Sequence, residues 1–526
     1  MKPFKSTRTL LFTVLFLAPG AGVDSLGCAE PAQRLEPRLY DIGSPTVIDL
    51  WVDPVNGADG QSGATRTQAM RTINEAWRRI PLGTTLSTTG YRIMLMAGRY
   101  SEDSRPTYWE SRHGTYRYPI ILQAADGAGT VTLPSLNIFD CRYLYLIGLR
   151  LEAGGGDVLH FERCDHVLIR QTQVVGLGDI FNNDSPQETL KANQCQFVYI
   201  EDSDISGAWD NAVDFVGVQY GHIVGNQIHR AADWCIYLKG GSAYFRVEAN
   251  EIYDGGTGGF TAGQGTGFEF MESPWLHYEA YDIKFINNVV HDTEGAGIGV
   301  NGGYNILLAY NTLYRVGQRS HVIEVVFGLR GCDGDTARCR EYLAAGGWGT
   351  SRTGGHEEPI PNRNVYIYNN VVYNPPGYQS QYQHLAVYGP RTTSGNSNIP
   401  SPARTDTNLH IRGNLIWNGP PDHALGIEDA DQGCQAPNPT CNPAQLRAEN
   451  TINTVEPQLV NPAAGDFRPV GGGNVFRAAT LSLPDFPGGD RAQPPLAPEG
   501  NLQNAVTRDR DGKPRSSSGP PGAYVE

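Results

Sequence analysis

Charge is scarce in this 526-residue chain: Asp, Glu, Lys and Arg together make up 18%. That excludes a disordered polyelectrolyte. Basic surplus is missing as well, with 41 Lys and Arg against 55 Asp and Glu and a formal net charge of −14. No basic stripe offsets this balance, so a nucleic-acid backbone is excluded as partner. The apolar run Leu10–Leu17 is too short to span a bilayer. The L-x-x-L-x-L pattern and repeated helices of a leucine-rich repeat are absent.

What the chain has instead is turns and a refrain. It carries 63 Gly and 35 Pro. Six segments end in one short phrase: GNQIH at Asn226, ANEIY at Asn250, NNVVH at Asn288, YNTLY at Asn311, NNVVY at Asn370 and GNLIW at Asn414. From 226 to 250 is 24 residues and from 288 to 311 is 23; wider gaps read as the same coil with a loop inserted. A period in the low twenties with β-branched strands and Gly/Asn/Asp turns signals a solenoid, because one repeat cannot bury its apolar face alone. The expected fold is all-β: a single-stranded right-handed parallel β-helix, with an inward asparagine column hydrogen-bonding coil to coil.

The organisation follows. Residues 1–28 read as an export signal, with Lys2, Lys5 and Arg8 before the apolar run. Cys28 after Ser25-Leu26-Gly27 is a candidate lipid anchor, so the chain is expected to be exported, as a secreted, periplasmic or cell-surface protein, and monomeric. Residues 45–460 form the solenoid. The stretch around Gln68–Arg79, with Ala69, Ile73, Ala76 and Trp77 at helical spacing, should plug its open N-terminal end. Residues 461–526 are expected to wrap the outside as an irregular tail. Nine cysteines in an exported chain suggest disulfides. Cys332/Cys339 and Cys434/Cys441 share one spacing and should each staple a loop, whereas Cys141, Cys164 and Cys195 should stack as buried thiols in neighbouring coils.

Three inserts, Glu272–Tyr281, Cys332–Asn362 and Tyr378–Asp406, interrupt the ladder and should build one wall. Trp275 and Tyr278 in the first are expected to stack on sugar rings. Aligning the alternating strands points Val213, Ile236, Phe268, Ile298 and Ile323 inward, with Phe215, Leu238, Phe270, Val300 and Val325. The outward columns then read Asp214, Tyr237, Glu269, Gly299, Glu324 and Val216, Lys239, Met271, Asn301, Val326. Asp210, Asn211, Asp233, Glu294, Arg319 and His321 lie in the turns just before. Solvated polar groups are ordinary on a solenoid exterior. Five ionisable groups on adjacent coils beside an aromatic insert point instead to a site.

The pair of segments Ala208–Val216 (AWDNAVDFV) and Asp233–Gly241 (DWCIYLKGG) resembles the calcium-dependent β-helix polysaccharide lyases of the pectate-lyase type. That resemblance implies Ca²⁺ held by Asp210, Asn211, Asp214 and Asp233, with Lys239 as the proton-abstracting base. Tyr237, Asn301, Trp275 and Tyr278 would contact an acidic polysaccharide, and Glu269, His321 and Arg319 would be further catalytic candidates. Lys239 stands one position later before Gly240-Gly241 than the family pattern has it, a shift that turns a strand side chain to the other face. The chemistry is coherent, because a uronate lyase removes the proton beside a carboxylate while a cation neutralises that carboxylate. A glycoside hydrolase built on Asp214 and Glu269, a C5-epimerase and a non-catalytic glycan-binding solenoid remain the alternatives.

Overall fold

A computed structural model describes residues 39–395, 397–487, 503–516 and 519–526; the export signal and Cys28 lie outside the described residues. The chain coils into a right-handed parallel β-helix with three long sheets. Sheet 1 has 12 strands from Val47–Val52 to His410–Arg412, sheet 2 has 12 from Gly98–Arg99 to Thr451–Ile452, and sheet 3 has 10 from Trp109–Glu110 to Leu385–Val387. Each full coil visits sheets 1, 2 and 3 in turn, and every strand pairs in parallel with its counterpart one coil on. Alternate residues of each strand enter one continuous core, which runs from Leu50 to Leu446.

The asparagine refrain closes the corner between sheets 1 and 2. Asn226 donates its backbone N–H and its side-chain amide to Oδ1 of Asn250, both at 2.9 Å. Asn250 does the same to Asn288, Asn288 to Asn311, Asn311 to Asn370, Asn370 to Asn414 and Asn414 to Asn450. Each of the six donors is at most 1% exposed. The column begins earlier with smaller side chains: Leu149 N–H donates to Thr172, Thr172 N–H to Ser203, and Ser203 N–H to Asn226. Turn backbone inside a solenoid would otherwise be buried without partners.

The cysteines fall as the sequence implies. Cys141 and Cys164 each donate a backbone N–H to the sulfur of the next thiol, Cys164 and Cys195, at 3.4 and 3.3 Å. These three and Cys235 are free and buried, while Cys332–Cys339 and Cys434–Cys441 are disulfides. At the N-terminal end the helix Ile73–Arg78 starts on Thr72, whose hydroxyl accepts from Glu75 N–H, and buries Ile73, Ala76 and Trp77. Trp77 meets Trp109 of the first sheet 3 strand edge-on, ring centroids 4.7 Å apart.

The tail packs back on the solenoid wall. Phe467 lies 5.0 Å from the His291 ring, and Ala523 N–H donates to Thr312. Leu459–Asn461 and Asp466–Pro469 pair antiparallel, so this part of the tail is not wholly irregular. Among the described residues no helix is long and apolar enough to cross a membrane.

Candidate functional site

The register of sheet 3 corrects one coil of the sequence alignment. Val213, Asp214, Phe215 and Val216 pair with Ile236, Tyr237, Leu238 and Lys239. The next strand is Gly258–Gly263, whose Phe260, Thr261 and Ala262 take the places assigned to Phe268, Glu269 and Phe270. Glycine at its first position is forced: a Cβ on Gly258 would sit 2.1 Å from the Trp234 ring. Residues 264–279 leave the sheet as an insert, and Glu269 lies in a short 3-10 helix. Its carboxylate accepts N–H bonds from Asp333 and Asp335 beside the Cys332–Cys339 disulfide, so it braces two inserts against each other. Phe270, expected inside, is 49% exposed.

The same register reveals what the alignment missed. Lys191 occupies the outward column one coil before Asp214, and His160 one coil before Lys191. Asp214 is buried, and its oxygens face lysine ammoniums and no other donor. Lys191 Nζ stands 3.1 Å from Oδ2 and Lys239 Nζ 3.6 Å from Oδ1. Glu188, in the turn from sheet 2, touches Lys191 at 3.3 Å and accepts the N–H of Asn211. Lys239 lies over the ring of Tyr237, 4.0 Å from its centroid. Tyr237 is itself 5% exposed, and its hydroxyl accepts the N–H of Gly265, so the ring floors the lysine and its hydroxyl serves the insert.

Electrostatics single out this cluster. Burial, with Asp214 and Asp210 nearby, pushes the Glu188 carboxyl up to about 9 against the pull of Lys191. Burial and contact with Asp210 push Asp233 up to about 6. Burial opposes the charge on Lys239, but Asp214, Glu188, Asp210 and Glu279 outweigh it and hold the ammonium above its ordinary range. Lys191 is raised in the same way by Asp214, Glu188 and Asp157. His160 is lowered by burial, and Lys191 adds to that. Acids reluctant to ionise beside lysines reluctant to lose protons mark a surplus of negative charge.

Several expected members fall away from the site. Asn211 is 1% exposed; its Oδ1 accepts Trp234 N–H and its amide donates to Asp210, so the side chain is buried and engaged in holding the turn. Trp275 and Tyr278 are 1% and 3% exposed, sealed against Tyr244, Tyr281 and Tyr304 on the sheet 1 side, and offer no ring face to a sugar. Asn301 lies two strands on from Lys239, nearly buried, pairing with Gly263 and Val326. His321 and Arg319 stand in the turn before the strand Ile323–Val326, three strand spacings of about 4.8 Å from Lys239. There His321 meets Gln383 at 3.1 Å, and Arg319 pairs with Glu294 at 3.1 Å.

The donor chemistry fits a hard cation in part. Glu188, Asp210, Asp214 and Asp233 supply carboxyl oxygens, the ligands a hard cation prefers; Asp210 and Asp214 raise Glu188, and Asp210 raises Asp233. They are not drawn into a closed shell. Among the described residues the one trio with ligand atoms mutually within 4.8 Å is Glu269, Cys332 and Cys339, whose sulfurs form a disulfide.

No curated protein matches the chain in sequence. Solved structures similar to it include XylC in complex with xylose (8% identity, TM-score 0.45, covering 91% of this chain and 98% of that one). Pectate lyase Pel9A is similar at 14% identity and TM-score 0.37, covering 92% and 97%. The Dettilon tailspike protein is similar at 13% identity and TM-score 0.38, covering 72% and 67%. Residues 136–327, which include the whole Lys191–Asp214–Lys239 column, match the family described as right handed beta helix region.

Proposed function

We propose that the protein is an exported polyuronate lyase whose reaction centre is the Lys191–Asp214–Lys239 column. One observation carries the reading: a fully buried carboxylate, Asp214, faces two lysine ammoniums and no other donor. Lys239 is the proton acceptor. Its ammonium lies over the Tyr237 ring, and the Gly240-Gly241 turn that follows is tied down by Glu279, which accepts Gly240 N–H. Glu188, Asp210 and Asp214 would hold calcium, with Asp233 behind Asp210; Asn211 is replaced in this set by Glu188. Bound there, Ca²⁺ would neutralise the substrate carboxylate and offset the acids that keep Lys239 protonated. Lys239 then takes the proton beside the uronate carboxyl, and the glycosidic oxygen leaves by elimination. The two disulfides accord with an oxidising compartment.

A second reading has its own observation: Glu188, kept protonated to about 9, shares Lys191 with Asp214. A neutral acid beside a second carboxyl is the arrangement of a glycoside hydrolase. A panel of uronate polymers, assayed with calcium and with chelator, separates the two. A lyase yields ultraviolet absorbance from the unsaturated product, lost on chelation. A hydrolase yields reducing ends without absorbance, and a glycan binder yields neither.

A further inference from the structure

Lys191 sits where the acid cluster would otherwise gather a cation. Its ammonium bridges Glu188 Oε1 at 3.3 Å and Asp214 Oδ2 at 3.1 Å. The two carboxyls are 2% and 1% exposed, while the lysine side chain keeps 22% of its surface in solvent. Lys191 is outward in its strand, one coil before Asp214. Its flexible four-carbon stem can therefore swing toward water with no change in the backbone. Lys239 differs: its ammonium is 3.6 Å from the other oxygen of Asp214 and rests on the Tyr237 ring.

We propose that Lys191 is a tethered counter-cation that occupies the divalent-cation site of the metal-free protein and has to be displaced before calcium binds. The inference rests on the reading of Glu188, Asp210 and Asp214 as the calcium-holding acids. A buried Asp214 carboxylate without a cation is costly, so the metal-free fold needs the positive charge that Lys191 places between it and Glu188. Calcium supplies more charge and accepts more oxygens, but it cannot share those oxygens with an ammonium a few ångströms away. Calcium affinity is therefore lowered by whatever free energy holds Lys191 in place. The lysine also closes the site to weakly bound cations, which cannot compete with a tethered one.

The test is calcium titration of the full-length metal-free protein by calorimetry, with the melting shift on adding calcium as a second readout. Lys191→Met and Lys191→Gln should melt lower without metal, bind calcium about tenfold more tightly or better, and show a larger calcium-induced shift. Lys191→Arg, which keeps the charge, should bind calcium no more tightly than the parent. Tight binding by the neutral variants where the parent binds none would support the displacement outright. Equal or weaker affinity in both neutral variants, with a parent that binds, would overturn the role of Lys191 and leave the calcium reading standing. Absence of calcium binding in parent and variants alike would overturn both.

Discussion

Arg330 and Glu279 form an ion pair from which water is wholly excluded: both side chains are 0% exposed, with NH2 2.6 Å from Oε1. The guanidinium also donates to the carbonyls of Leu276, His277 and Trp348. The other carboxylate oxygen takes Thr266 Oγ1 and Gly240 N–H, one residue beyond Lys239. The pair thus joins two inserts and the turn behind the lysine. Removing one partner leaves a buried charge alone, which costs about 3–5 kcal/mol. Arg330→Met should lower unfolding stability by that order in chemical denaturation, and Glu279→Gln in the same background should recover part of it. Full stability in Arg330→Met alone would show that the pair holds nothing.

The asparagine column makes a second energetic expectation. In Asn288→Ala, the backbone and side-chain N–H groups of Asn250 lose their acceptor, and the Val247 carbonyl loses a donor. At roughly 1–3 kcal/mol per orphaned buried group, three such groups put the loss at about 3 kcal/mol or more. Asn450→Ala, in the last step of the column where burial is only partial, should cost less. Equal costs at both places would argue that the column is not a cooperative element.

This column was readable from sequence because the same side chain does the same job at every corner, so its spacing survives the inserts. The sheet 3 register was harder. Phe268-Glu269-Phe270 imitates an alternating strand, whereas the true strand, Gly258–Gly263, has glycine at three of its six positions, and the Trp234 ring lies over the first. Alternation is hard to see in a strand half made of glycine. The cysteine column held the missing information. Cys195 aligns with Val218, so counting back sets Lys191 beside Asp214 and brings Glu188 to the turn above. Burial of Trp275 and Tyr278 depended on which face the insert folds over, and nothing local in the sequence encodes that.

His291 supplies a pH dependence. Burial opposes its charge, but hydrogen bonds to Asp292 and Glu251 outweigh burial and raise it above the ordinary histidine value. It also contacts Phe467 of the tail, while Arg510 reaches Glu251 at 3.7 Å. A raised histidine contributes stability that is fully present below the unfolded value of about 6.5 and is lost as pH rises through the folded value. The stability difference between the parent and His291→Gln should therefore be largest near pH 5 to 6 and shrink in mildly alkaline solution. Thermal melts of both proteins across that range provide the check; a difference that grows with pH would contradict the assignment.

The decisive prediction concerns Lys239. The acids around it hold the amine protonated, so the metal-free protein should be inert on any uronate polymer, and calcium should restore turnover. Lys239→Arg keeps the positive charge opposite Asp214 but cannot present a neutral base near neutral pH. It should fold and bind glycan much as the parent does, yet lose about 10²–10⁴ in turnover, the usual cost of removing a general base. Asp214→Asn should act differently: it removes the charge that both lysines face, and extra calcium should recover part of its activity. His321→Gln and Arg319→Gln, three strands away, should keep most of the parent rate. If Lys239→Arg turns over a substrate as fast as the parent does, proton abstraction does not pass through this lysine. Glu188 and Asp214, already joined through Lys191, would then be the pair to test for hydrolysis.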